Sequence, residues 1–372
     1  MPNRPIVGIL GASGFIGNRL VEWLILSDLA MPRPIVRSFK GMARAARFDL
    51  DCRLADATDQ VALEAQLRGC EVVFHCVVGG RETILRSVEA AYLAAASAGV
   101  RRLVYLSSAV VHGNNPAPGT HDDSKLIARQ QFEYNVSKVK AEHLLRRLSA
   151  DGAVEVVTLR PLIVYGPRSK WWTAQIASDL LSGKAYLIDG GTGVCNAVYV
   201  DNLVRAMWQA AIAQKAGTQA FIITDGEPVT WRDLYGAVAE VVGVNMANVP
   251  CIESAELARM YREQKHAQMK FAFGRFTLAM RNNLPTGVIN IVRKILPSGA
   301  IKVISRQLET PPATTFPIID PEIASLQQCR YLLPISKAQE LLGYVPQVTF
   351  SEACRRTGEW LSFVSETGAN RT

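Results

Sequence analysis

No two cysteines of this chain form a Cys-x-x-Cys pair. The seven thiols are scattered singly from Cys52 to Cys354, which argues against a paired-ligand zinc site or a disulfide framework and fits a reduced compartment. Long apolar runs are missing too. No stretch of 18 residues is both apolar and free of charge, so no membrane-spanning helix is expected. The run Ile6–Leu10 is too short for a secretory leader and reads as a strand. Together these absences predict a cytoplasmic protein that holds no metal. No internal repeat or low-complexity tract is present, and 49% hydrophobic residues against 20% charged ones exclude disorder.

The last absence is of acid. Between Gln264 and Leu308 there is no Asp or Glu, but there are eight Lys or Arg. The other 33 basic residues equal the 33 acidic ones, so the whole formal charge of +8 sits in this segment. Val288, Ile291, Val292 and Ile295 recur at helical spacing, so 264–308 is a candidate for weak peripheral contact with an anionic membrane face or a lipid-linked substrate. Pro285 and Pro297 confine such a helix to about three turns, and the plainer reading is a lobe helix with solvated cations. Nothing predicts a nucleic-acid partner.

What is present is alternation. Strand-like runs stand at Ile6–Leu10, Pro34–Ser38, Cys52–Ala55, Val72–Cys76, Leu103–Ser107 and Val154–Leu159. They are rich in Val, Ile and Leu with little polar alternation, as strands covered on both faces require. Helical stretches fall at about 15–28, 59–68, 83–98 and 127–150. Further strands are expected at 196–200 and 220–224, with a helix at Asp201–Gln214 capped by Asp201. The pattern predicts an α/β fold: a doubly wound parallel sheet (Rossmann) with a smaller C-terminal substrate lobe. The expected division is 1–225 for the dinucleotide-binding domain and 226–372 for the lobe. Residues 167–190 are open to either, and the C-terminal part packs back.

Gly11, Gly14 and Gly17 lie between the first strand and the first helix, the context a dinucleotide fingerprint requires. The first glycine allows the turn, the second the approach of a pyrophosphate, and the third close helix–strand packing. The helix N-terminus offers free N–H groups to phosphates. An acid that would bind a ribose 2′-hydroxyl, roughly 20 residues on, is missing. Arg37 and Lys40 stand there instead, which favours NADP, with NAD as the alternative.

Ser107 and Ser108 end a strand, where open α/β sheets bind ligands. Tyr134 and Lys138 follow, four residues apart and so on one helix face. A nearby ammonium favours phenolate, so Lys138 is expected to lower the Tyr134 pKa. Ser108 could then hydrogen-bond a substrate oxygen while Tyr134 exchanges its proton. The plain alternative is a solvated helix face.

With GASGFIG (11–17), ADATD (55–59), VVFHC (72–76), LSSAVVHG (106–113), YNVSK (134–138), LRPLIVYGP (159–167), YVDN (199–202) and LLGYVPQVTF (341–350), the chain resembles the extended short-chain dehydrogenases/reductases of the NAD(P)-dependent nucleotide-sugar epimerase/dehydratase type. The resemblance covers about 5–225 and returns near the C-terminus. It implies that Ser108, Tyr134 and Lys138 are catalytic, with Lys138 also at the nicotinamide ribose. It implies that the cofactor runs along Gly11, Ser13, Gly14, Phe15, Ile16 and Gly17, with Asp56 and Ala57 by the adenine and Pro161 to Val164 near the nicotinamide. It also implies a homodimer pairing the helices near 83–98 and 127–150. His112, where the family usually has Tyr, and Asn196 are the substrate-side candidates, though a lone histidine there also suits packing.

Departures narrow the chemistry. Ala109 and Val110 follow Ser108, where sugar dehydratases carry an Asp–Glu pair and decarboxylases of the family a Glu, so dehydration and decarboxylation are not expected. The expected activity is hydride movement at a secondary alcohol or ketone of a small molecule, a nucleotide sugar in the leading reading. The alternative substrate is a hydrophobic sterol-like or flavonoid-like alcohol or ketone. A non-catalytic dinucleotide sensor is a further alternative, against which the retained Tyr134 and Lys138 argue.

Overall fold

The computed structural model describes residues 4–264 and 318–369. The basic segment from Lys265 onward, on which the membrane expectation rested, lies outside the described residues. No helix among the described residues is long and apolar enough to cross a membrane.

Seven parallel strands form the central sheet. They are β1 (Ile6–Leu10), β2 (Met31–Val36), β3 (Arg53–Leu54), β4 (Val72–His75), β5 (Arg102–Leu106), β6 (Glu155–Pro161) and, at the edge, β10 (Gln219–Ile223). Their order is β3-β2-β1-β4-β5-β6-β10. The chain reverses direction across the sheet between β1 and β4, the switch point where such sheets bind ligands.

Side-chain alternation along each strand builds two cores, one per face. Val7, Ile9, Phe74, Val104 and Leu159 join Leu20, Val21 and Leu24 of α1 (Phe15–Leu26) and Leu203 and Met207 of α6 (Val200–Ile212). Leu10, Val73, Leu103 and Tyr105 join residues of α2 (Gln60–Leu67), α3 (Arg81–Ser97) and α4 (Glu133–Leu148). Both faces are covered, so the strands read as unbroken apolar runs.

Three local differences from the sequence pattern have physical causes. β2 starts at Met31 despite Pro32 and Pro34. Its neighbour β3 pairs only with Ile35 and Val36, so the prolines sit where no ladder donor is needed. α4 starts at Glu133 and not near 127, because residues 127–130 are tied to the loop after β5: the Ile127 N–H donates to the Val111 carbonyl at 2.9 Å and Gln130 Nε2 to the Val110 carbonyl at 2.9 Å. Asp201 does not cap α6; Tyr199 holds that position. Asp201 instead takes a bidentate pair from Arg19 of α1, at 2.6 and 2.9 Å, joining two helices on one face.

The remaining described elements gather at the carboxyl end of the sheet and beside it. Two short parallel pairs, β7 (Ile163–Tyr165) with β9 (Ala197–Tyr199) and β8 (Leu187–Ile188) with β11 (Cys251–Ile252), lie outside the main sheet. α5 spans Ile176–Leu181. α7 (Trp231–Val242) opens on a capping box between Thr230 and Asp233 and ends at Gly243, φ +71°. The buried Trp231 indole donates to the Leu326 carbonyl of α8 (Pro321–Gln327) at 3.2 Å. α9 (Ser336–Leu342) and α10 (Phe350–Ala369) return to the sheet side.

Candidate active site

The glycine elbow is packed backbone to backbone. Gly11 has φ +78°, and a Cβ there would lie 2.8 Å from the Cys76 carbonyl oxygen at the end of β4. A Cβ on Gly17 would lie 2.4 Å from the Gly11 carbonyl oxygen. Gly14 is the N-cap of α1, with no side-chain cap and no acid in the first turn. Ser13 and Gly14 are exposed, and Phe15 and Ile16 half-buried. The uncapped N–H groups thus lack a side-chain acceptor, and a pyrophosphate fits them in charge and approach.

The 3₁₀ turn Phe39–Ala45 folds beside this elbow, so closely that a Cβ on Gly41 would meet Ser13 Cβ at 2.6 Å. It carries Lys40, with Arg37 just before it; both are exposed. Across the end of β3, Asp56 is exposed and Ala57 half-buried. The Asp56 carboxylate accepts from the Thr58 N–H and hydroxyl at 2.8 and 2.7 Å. Those bonds hold it below the ordinary range, with Arg37 adding a weaker pull.

One strand pair further along, β5 is followed directly by Ser107 and Ser108, both buried. Ser108 caps the 3₁₀ turn Ala109–His112, its Oγ accepting from the Val110 N–H at 3.4 Å. Tyr134, on the first turn of α4, stands near Ser108, whose hydroxyl favours the ionised phenol. Lys138, buried one turn on, donates to the Leu106 carbonyl at 2.8 Å and to the Tyr105 hydroxyl at 3.4 Å. Its Nζ lies 5.7 Å from the Tyr134 ring centre. Elbow, strand-end serine, phenol and ammonium therefore come from β1, β5 and α4, all at the carboxyl edge of the sheet. Pro161 ends β6 and Val164 lies in β7, both buried beside them.

The electrostatics depart from the expectation that Lys138 lowers the Tyr134 pKa. Burial pushes the phenol up to about 12, the charge of Glu322 raises it further, and the Ser108 hydroxyl opposes both. Burial pulls Lys138 down to about 8, against the favourable charge of Glu142. Desolvation wins at both groups, because each is enclosed before any ligand arrives.

His112 and Asn196 are already engaged. His112 Nε2 faces Arg160 Nη1 at 3.2 Å, and burial, then Arg160, holds the imidazole neutral, with its pKa down to about 4. Asn196, fully buried with φ +47°, donates to the Tyr331 carbonyl at 2.9 Å and accepts from the Leu333 N–H at 2.8 Å. It pins the 331–333 segment beside Ala109, which packs with Ile222, Leu162 and Leu333.

Sequence reasoning passed over Glu142 and Arg160 behind the serines, and Glu322, whose charge reaches Tyr134 from the lobe. Glu142 stands four residues after Lys138, a spacing that puts it on the same helix face. Nothing in the sequence marks Glu322.

Among the described residues no cluster of His, Cys, Asp or Glu could hold a metal ion. A family model described as "NAD dependent epimerase/dehydratase family" matches residues 7–223. The chain belongs to that family. Its members are NAD-dependent enzymes, and the elbow and strand-end groups lie within the matched residues. Among family relatives, the UDP-glucose 4-epimerase of Vibrio cholerae is 28% identical over 249 residues, 62% of this chain and 74% of that one. The 3beta-hydroxysteroid-dehydrogenase/decarboxylase isoform 1 of Arabidopsis thaliana is 22% identical over 392 residues, 94% of this chain and 78% of that one. In fold, the UDP-glucuronic acid 4-epimerase of Bacillus cereus, solved in complex with NAD, superposes with a TM-score of 0.66 at 16% identity, over 96% of this chain and 99% of that one.

Proposed function

We propose that the protein moves hydride at a secondary alcohol or ketone of a nucleotide sugar, as an epimerase or oxidoreductase, with Ser108, Tyr134 and Lys138 as the reacting groups. The observation that carries this is the convergence of Ser108 with Tyr134 and Lys138 of α4 at the carboxyl end of β5, the Lys138 Nζ 5.7 Å from the Tyr134 ring centre. Bound NADP or NAD supplies or accepts the hydride. Gly11, Gly14, Gly17 and the first turn of α1 hold the pyrophosphate, and Lys138 the nicotinamide ribose. Ser108 hydrogen-bonds the substrate oxygen. At neutral pH Tyr134 starts as the phenol, since burial holds it near 12, so it begins as the proton donor to a ketone oxygen. In the reverse direction its phenolate takes the hydroxyl proton, stabilised by the Lys138 ammonium. Ala109 and Val110 offer no proton to a leaving group, so the reaction ends at hydride and proton exchange.

The cofactor in this reading is NADP(H), with Arg37 and Lys40 reading the 2′-phosphate. Both are exposed beside the elbow, and no acid stands at the end of β2 to hold a free 2′-hydroxyl.

A second substrate class, a hydrophobic sterol-like alcohol or ketone, is favoured by two observations. The steroid enzyme of Arabidopsis thaliana aligns with 94% of this chain, lobe included, whereas the UDP-glucose 4-epimerase of Vibrio cholerae aligns with 62%. Ala109, which follows Ser108, packs into a buried apolar cluster with Ile222, Leu333 and Leu162, so this side of the strand end is apolar.

The test is turnover with UDP-sugars and with 3-hydroxysteroids, for the protein and for Tyr134→Phe. The variant should lose roughly 100-fold or more in turnover while binding cofactor as before. Near-normal turnover of the variant would refute the role of Tyr134, and the substrate panel decides between the two classes.

A further inference from the structure

Behind the strand-end serines lies a buried charged chain that the proposed reaction does not use. Arg160 of β6 and Glu142 of α4 form a bidentate pair at 3.0 and 2.5 Å, with side chains 2% and 4% exposed. Arg160 spends its remaining donors on the Asp122 carbonyl at 2.6 Å and on His112. The same carboxylate accepts a 2.6 Å hydrogen bond from the Ser107 hydroxyl. On the same strand end the Tyr105 hydroxyl accepts from Lys138 Nζ at 3.4 Å.

A fully buried ion pair is expensive and is no stability device by itself. Its placement is informative. Glu142 stands one helical turn beyond Lys138 on the same face of α4, and two turns beyond Tyr134. The other titratable groups that face Lys138 are Tyr105 from β5, His75 and Cys76 from the end of β4, and Tyr134 from α4. Burial raises Tyr105 and Cys76 and holds His75 neutral, so none of them is charged at neutral pH. Glu142 is the carboxylate of this set, paired with Arg160.

We propose that Glu142 is a positioning residue of the reaction: its carboxylate is the counter-charge of the Lys138 ammonium and, through Ser107, the anchor of the strand end that carries Ser108. The inference rests on the reading of Ser108, Tyr134 and Lys138 as the reacting groups. Arg160 holds the Glu142 carboxylate in place through the bidentate pair, and Glu142 Oε1 also accepts from Ser107. With burial already bringing Lys138 to about 8, loss of the carboxylate shifts the balance further toward the neutral amine. A neutral amine cannot stabilise phenolate.

The test measures Lys138 itself, with no substrate present. NMR titration of ¹³C-labelled lysine ε-methylenes, with the Lys138 signal assigned through Lys138→Arg, reads its ionisation. Wild type should titrate near 8. Glu142→Gln should titrate lower by about one pH unit or more, the effect of an opposite charge at this range, and Glu142→Asp should restore most of the difference. If Glu142→Gln fails to fold, the exchange Glu142→Arg with Arg160→Glu keeps a buried pair while inverting the charge that faces Lys138. That exchange should lower the titration further still. A Lys138 that titrates as in wild type in whichever of these variants folds overturns the proposal. Tyr134→Phe with normal turnover would instead sink the catalytic reading and leave the Lys138 titration unaffected, so the two failures are told apart.

Discussion

Asn202 and Asp225 hold each other at the edge of the sheet: Asn202 Nδ2 donates to Asp225 Oδ1 at 2.8 Å, and Asp225 Oδ2 accepts from the Tyr199 N–H at 2.8 Å. Even with these bonds, burial pushes the Asp225 carboxyl up to about 7. Its folded pKa thus exceeds the unfolded value of 3.8. A group of this kind stabilises the fold fully below the unfolded pKa, and the contribution is lost as pH rises through the folded one. Relative to Asp225→Asn, the wild-type melting temperature should therefore fall steadily between about pH 4 and pH 7. Parallel melting curves for the two proteins across that range would show that Asp225 does not titrate there.

Gly17 tests the elbow. Alanine there brings Cβ to 2.4 Å from the Gly11 carbonyl oxygen and 3.0 Å from Ala12 Cα. Both neighbours are backbone, so the turn itself must move. Gly17→Ala should weaken NAD(H) and NADP(H) binding by about tenfold or more, since the turn aims the N–H groups at the phosphates. Calorimetric titration with each cofactor reads this directly, and unchanged affinity for both would separate the elbow from cofactor binding.

Arg37 tests the choice between cofactors. Arg37→Ala should cost NADP(H) about tenfold in affinity, the worth of one charge-assisted hydrogen bond. NAD(H) binding should stay as it was. Equal losses for both cofactors, or none for NADP(H), would show that the guanidinium does not read the 2′-phosphate.

Asn196 separates a structural role from a substrate role. Its amide ties Tyr331 and Leu333 to the sheet side, and its φ of +47° suits asparagine better than alanine. Asn196→Ala should lower stability by about 3 kcal/mol in denaturant unfolding, with KM unchanged. A raised KM at unaltered stability would return the side chain to the substrate.

The sequence made the sheet legible because both faces are covered. Val7 and Ile9 serve one core while Leu10 serves the other, so each strand appears as a short block of Val, Ile and Leu. The elbow was equally visible, since only glycine fits where backbone meets backbone at Gly11 and Gly17. Boundaries failed where tertiary contacts override local signals: prolines in β2 tolerated by a short neighbour, and Asp201 recruited by Arg19. The Tyr134–Lys138 spacing was readable, but its electrostatics were not. Desolvation depends on what encloses the pair, and that enclosure comes from distant segments. Glu142 looked like any acid on a polar helix until Arg160, eighteen residues on, was seen against it. The lobe was least legible, because short strands such as Cys251–Ile252 carry too few residues to show a period.

The way Asn202 is satisfied bears on how the chain is made. Its carbonyl oxygen accepts from the N–H groups of Gln347 and Val348, each at 3.0 Å, and its amide also donates to the Val348 carbonyl at 2.8 Å. Tyr344, Ala353 and Leu361 fill the same core as Val7 and Ile9. During synthesis the sheet strands all leave the ribosome long before these partners do. The nascent protein thus carries a half-closed core and an unpaired buried Asn202 carbonyl oxygen until residues 344–361 emerge. That interval, more than any step of the finished fold, is when the apolar face of α6 and α7 is open to self-association, and when a chaperone would matter most.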